Sequence, residues 1–90
     1  MATYYVASFH SISQALRFEK LLQTKAIGVK MIPVPRLISS SCGIAARFEE
    51  ADYPAVASLL AAGDGDAYEV YLFTSEGKNA QAERVWKANS

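Results

Sequence analysis

The chain holds one thiol, Cys42, and it closes the run Arg36-Leu37-Ile38-Ser39-Ser40-Ser41-Cys42-Gly43. The thiolate, not the thiol, attacks electrophilic sulfur or selenium. A helix N-terminus or a neighbouring arginine favours that charged form. Arg36 supplies a cation, Gly43 lets the backbone come close to a bound group, and Ser39, Ser40 and Ser41 offer hydroxyls and turn-forming donors. His10, the one histidine, stands where a strand-like run ends. These types together describe a small anion-friendly pocket around one thiol. Each residue also has a plainer reading. A lone cysteine is most often an inert, buried small hydrophobe. Arg36 could close a loop on a carbonyl, His10 could be a satisfied helix-entry residue, and the serines could be loop.

The elements that must position these residues can be read from hydrophobic periodicity. Thr3 to Phe9 is β-branched and aromatic, which predicts a first strand. Ser11 with Gln14 three residues on fits a capping box, and Ala15, Phe18 and Leu22 give helical spacing up to Thr24. Gly28 supplies a stop. Val29 to Val34 alternates as a second strand that Pro33 and Pro35 confine to an edge. Ile44, Ala46 and Phe48 alternate with Arg47 and Glu49 in a third strand after Gly43, with Arg47 and Glu49 expected on a solvated face. Asp52 is placed to cap a second helix carrying Tyr53, Val56, Ala57 and Leu60 and ending at Gly63. The Gly63-Asp64-Gly65-Asp66 turn opens a fourth strand, Tyr68 to Phe73.

The order β, α, β, β, α, β predicts an α+β ferredoxin-like sandwich, a four-stranded antiparallel sheet with two helices on one face. Right-handed crossovers give the strand order 4-1-3-2. Residues 1–74 are expected as one domain and 75–90 as a C-terminal tail, which Asn79 as a cap and the Glu83–Lys87 spacing make capable of a short helix. Trp86 would then cover part of the domain or meet another chain. In this topology His10, the start of the first helix, Arg36 and Cys42 gather at one sheet edge. Alternation puts Cys42 on the face of Ile44, Ala46 and Phe48, towards the helices.

Composition narrows the function classes. Ninety residues at 51% hydrophobic and 11% aromatic make a single small domain, too apolar to be disordered. Such a chain buries only about 60 to 65% of its unfolded surface, which leaves little stability to support elaborate catalytic machinery. Nine Lys and Arg balance nine Asp and Glu. No broad electrostatic pull towards nucleic acid or anionic membrane results, and neither is expected as a partner. No apolar run approaches the roughly 18 residues of a membrane span, and Met1 to Thr3 leads into a strand without the basic flank of a signal peptide, so a cytoplasmic location is expected. One cysteine excludes an internal disulfide and a multi-cysteine metal cage. Cys42 and His10 could supply two metal ligands, too few for a closed zinc site without a partner chain, and no GxGxxG, Walker-type or HExxH motif occurs, so no metal and no cofactor is expected.

The stretch Ile32-Pro33-Val34-Pro35-Arg36-Leu37-Ile38-Ser39-Ser40-Ser41-Cys42-Gly43-Ile44-Ala45, with Phe9-His10-Ser11 and Ala15 to Leu22 upstream, resembles the Se/S carrier protein-like family of small bacterial proteins. The likeness covers about residues 4 to 73, and the Pro-Arg-x-x-Ser-Ser-Ser-Cys-Gly run is its most specific part. It implies a cytoplasmic carrier whose cysteine holds sulfur or selenium as a persulfide or selenosulfide, with donor and acceptor proteins as partners. Carried over by position, the motif reaches Arg36, Ser39, Ser40, Ser41, Cys42 and Gly43; a role for His10 is inferred from its placement. The competing reading is a non-catalytic module that binds a small anion or peptide at the same edge and forms a homodimer through its sheet face or tail. A hydrolytic enzyme ranks last, because no carboxylate is placed beside His10 to complete a nucleophile and base pair.

Overall fold

A computed structural model describes residues 2–38, 43–63, 65 and 67–88. The chain runs β1 (Ala2–Ser8), α1 (Ile12–Thr24), β2 (Lys30–Pro33), β3 (Ile44–Glu49), a 3-10 turn (Glu50–Asp52), α2 (Tyr53–Ala61), β4 (Glu69–Glu76) and β5 (Asn79–Lys87). The strands form one antiparallel sheet in the order β2-β3-β1-β4-β5. The architecture is α+β, but the expected four-stranded ferredoxin-like sheet with order 4-1-3-2 and a tail outside it is corrected to five strands in the order 2-3-1-4-5. The tail expected as a short helix is the fifth strand. The physical reason lies in the Glu76-Gly77-Lys78-Asn79 turn. Glu76 pairs with Asn79, and Gly77 takes a positive φ of 61°, a conformation that suits glycine and sends the chain straight back along β4.

Alternation along the strands divides the core in two. On one face Ala7, Phe9, Ala46, Phe48 and Val70 meet Ala15, Phe18 and Leu22 of α1 and Val56 and Leu60 of α2. Phe18 is the hinge of this packing, tilted against Phe9 with ring centroids 5.2 Å apart and against Phe48 at 6.4 Å. Tyr5 stacks on Tyr53 at 4.0 Å, which ties the start of α2 to β1. Trp86 packs half-buried on this same cluster from β5. On the helix-free face Val6, Ala45 and Phe73 are buried with Ile38, from the segment between β2 and β3. Tyr4, Ile32, Val34 and Tyr71 pack round them.

α1 begins as the sequence directs. The Gln14 amide donates to Ser11 Oγ at 3.3 Å, and the Gln14 side chain accepts from the His10 amide at 3.1 Å, one residue before the cap. Asp52 stands at the N-cap position of α2, as the sequence predicts, but without the side-chain bond of a cap. The 3-10 turn leads into Tyr53, with Pro54 in the first helical turn, where a missing N–H costs nothing.

Candidate functional site

The pairings fix which loops share an end of the sheet. Ser8 stands opposite Ala45 on β3 and opposite Glu69 on β4, Pro33 is opposite Ile44, and Glu69 is opposite Lys87. The chain leaving β1 at Phe9, the β2–β3 connection, Tyr68 and the end of β5 therefore lie together. Main-chain bonds bind this end: the Tyr68 amide donates to the Ser8 carbonyl at 2.7 Å and the Ala88 amide to the Tyr68 carbonyl at 2.8 Å.

Of the residues singled out from the sequence, His10, Arg36 and Gly43 are described at this end. Cys42, Ser39, Ser40 and Ser41 lie outside the described residues. What is described of the connection is a necked loop. The Val34 amide donates to the Gly43 carbonyl at 3.3 Å and joins the two sides. A turn closed by the Ile38 amide on the Pro35 carbonyl at 3.2 Å puts Arg36 and Leu37 outward, both exposed. Ile38 is turned back into the buried cluster that holds Val6, Ala45 and Phe73, and is only 8% exposed. Gly43 has φ +74°, and nothing lies within 4 Å of where a Cβ would stand, so backbone conformation and not space demands glycine there. The loop thus leaves from the helix-free face at Ile38 and re-enters β3 at Ile44, whose side chain packs towards the helices.

His10 is exposed, and its ring lies 4.0 Å from that of Tyr68 at 45°. The Lys87 ammonium approaches the Tyr68 ring at 6.0 Å. Sequence reading missed Tyr68 and Lys87 because neither belongs to a motif; only the strand register brings Tyr68 beside His10 and Lys87 towards Tyr68. The α1 cap engages the Gln14 amide and leaves the Ile12 and Ser13 amides at the helix start outside that bond.

A second cluster missed by sequence reading lies on the helix-free face at the same end. Glu69 is almost buried, with its carboxylate divided between two partners. Tyr71 Oη donates to Oε1 at 2.8 Å and Arg84 Nη1 to Oε2 at 2.9 Å. Burial pushes the Glu69 carboxyl up, but the hydrogen bonds from Tyr71 and Arg84 and the charges of Arg84 and Lys87 outweigh it, and the net direction is down. Tyr71 is pushed up to about 12 by its own burial, its bond to Glu69 and that carboxylate's charge. The Ser8 hydroxyl donates to the Glu69 main-chain carbonyl at 3.4 Å. Arg84 reaches Glu69 because the β4–β5 register shifts between Val70 and Tyr71, so that Arg84 and Lys87 oppose Tyr71 and Glu69.

Against known proteins, the model of one family, described as Putative Se/S carrier protein-like, matches residues 4–72. The chain belongs to that family. The matched span runs from β1 into β4, includes the whole necked loop and stops short of β5. The description is of a protein like a carrier of selenium or sulfur, which points to interaction with partner proteins. No curated protein and no solved structure matches the chain. Among the described residues no group of three or more His, Cys, Asp or Glu could hold a metal ion, and no helix is long and apolar enough to cross a membrane.

Proposed function

We propose that the protein is a cytoplasmic single-cysteine carrier of sulfur or selenium, with Cys42 as the residue that bears the cargo. The observation that carries this reading is membership of the Se/S carrier family over a span that contains the chain's one cysteine. Cys42 immediately precedes Gly43, one side of the neck bonded to Val34. That neck lies at the end of the molecule where α1 begins and where His10, Arg36 and Lys87 stand.

The chemistry is thiol–persulfide exchange. The Cys42 thiolate attacks the terminal sulfur of a donor protein's persulfide. The new S–S bond forms as the donor's S–S bond breaks, and the donor leaves as a thiolate. Sulfane sulfur passes between two thiols with no external oxidant. With selenium the attack falls on a selenium atom held as S–Se, and the S–Se bond breaks in the same way. An acceptor thiolate then takes the terminal atom from Cys42 and regenerates its thiolate. Arg36 and the first-turn amides of α1 favour the anionic forms, and Ser39, Ser40 and Ser41 supply hydroxyl donors for the adduct.

The test is intact-protein and peptide mass spectrometry after incubation with a cysteine desulfurase and cysteine. One sulfur atom per chain, mapped to Cys42 and lost in Cys42→Ser, is the expected result. An unmodified Cys42 under conditions that load a known carrier overturns the reading.

A further inference from the structure

At the other end of the sheet, independent of the thiol, β2 and β3 set two cations face to face. Lys30, the first residue of β2, is registered directly opposite Arg47. Residues so paired share a face with Cβ atoms roughly 4.5–5.5 Å apart, and like charges in that relation work against the ladder. The face is the helix-free one, because the Arg47 guanidinium lies over the ring of Tyr4 at 4.0 Å. Tyr4 is itself stacked on the buried Phe73 at 5.5 Å, so the guanidinium rests on a fixed aromatic platform. A cleft of about 350 Å³ opens beside the pair, lined by Gly28, Val29, Lys30, Arg47, Phe48 and Glu49. Gly28 and Val29 precede the first ladder pair, so their amides are outside the β2–β3 pairing. Gly28 has nothing within 4 Å of a notional Cβ, so the chain is uncrowded on that side of the cleft.

A locally unfavourable charge pair, one member of it held in place, lines an open cleft in which Glu49 is the one carboxylate among the described residues, so two cations outnumber one anion and the cleft is suited to take a further anion. We propose that the Lys30–Arg47 cleft binds a tetrahedral oxyanion of the phosphate or sulfate type, either free or as the head of a small monoester. The planar guanidinium takes two oxygens, the Lys30 ammonium neutralises a third, and the Gly28–Val29 main chain lies within the same cleft. Glu49 lies on the rim of the same cleft and sets an upper limit on affinity by repelling the anion. Arg47 and Glu49, expected from the sequence as a solvated strand face, are thereby divided into a ligand group and a gate.

The test is amide chemical-shift titration of the whole chain with inorganic phosphate and, separately, methyl phosphate, at ionic strength held constant with chloride. Saturable shifts centred on Gly28–Lys30 and Arg47 are expected, with binding weakened about tenfold by Lys30→Gln and tightened by Glu49→Gln. Arg47→Lys keeps the charge but loses the fork, and is expected to weaken binding while the circular dichroism spectrum is unchanged. Equal binding of both probes assigns the monoester; binding of phosphate alone assigns the free ion. Linear shifts spread equally over Arg84 and Lys87, or a Lys30→Gln titration identical to that of the natural chain, would overturn the assignment.

Discussion

Replacing Ile38 by alanine tests whether the motif loop is anchored on the helix-free face. Ile38 is 8% exposed and belongs to one buried cluster with Val6, Ala45 and Phe73. The change removes three carbon atoms, and at about 0.8 kcal/mol per buried carbon the transfer contribution is about 2.4 kcal/mol. Ile38 keeps 8% of its surface exposed, so it stands at the margin of its cluster and the cavity contribution is small; a total of about 2.5 kcal/mol is expected, inside the range for Ile→Ala in cores. For a domain of this size that is a fall in Tm of roughly 10–20 °C. Urea unfolding followed by Trp86 fluorescence measures it, with an unchanged m-value showing that the unfolded reference has not moved. The neck bond between Val34 and Gly43 remains, so β2 and β3 stay paired while position 38 loses its place in the buried cluster. Amide exchange at Leu37 and Ile38 should accelerate well beyond that of β1. A loss below about 1 kcal/mol, or unchanged exchange at those amides, would refute the anchoring role of Ile38.

Gly43→Ala should cost about 1–2 kcal/mol from the positive φ alone, since nothing crowds a Cβ there, and Gly28→Ala, where nothing crowds a Cβ either, serves as the control in the same urea series. Glu69 ties β5 to β4, and its lowered pKa gives the pH dependence a definite sign. The carboxylate's stabilising contribution is complete above the unfolded value of about 4.3 and disappears as pH falls through the lower folded value. Glu69→Gln should therefore lose roughly 1–3 kcal/mol at pH 7, with the gap to the natural chain closing in acid; a gap that stays constant to pH 2 would contradict the ion pair's role. Trp86→Ala should destabilise by about 2 kcal/mol, below the value for a fully buried tryptophan because the side chain is half-exposed, and near-ultraviolet circular dichroism will show whether β5 still packs.

The legible part of the fold was the part where period and chemistry agree. The alternation Ile44, Ala46, Phe48 against Arg47 and Glu49, and the spacing Ala15, Phe18, Leu22 behind a Ser11 cap, each admit one element type and mark the residues that meet between sheet and helices; that Ala45 is buried on the opposite face does not follow from the pattern. β5 was illegible because its alanines and the Glu83–Lys87 spacing favour a helix locally, whereas the tight turn at Gly77 and the Arg84–Glu69 bond, which lie outside that window, decide for a strand. Ile38 reads from the sequence as one more apolar residue in a loop; that it pins the loop to the face away from the helices depends on Val6, Ala45 and Phe73, far apart in the chain. Of the site, the gathering of His10, Arg36 and Gly43 at one end follows from strand direction. Tyr68 and Lys87 enter only through the register of β4 with β1 and β5.

The rate of Cys42 alkylation against pH bears most directly on the claim that this end of the molecule holds a working thiolate. The chain has one thiol, so the signal needs no deconvolution. A rate that plateaus well below the ionisation of a free thiol, about pH 8.5, and that shifts towards that value in Arg36→Gln, is the predicted result. A side chain that resists alkylation until the protein unfolds, or a profile that follows a free thiol and ignores Arg36, would contradict it.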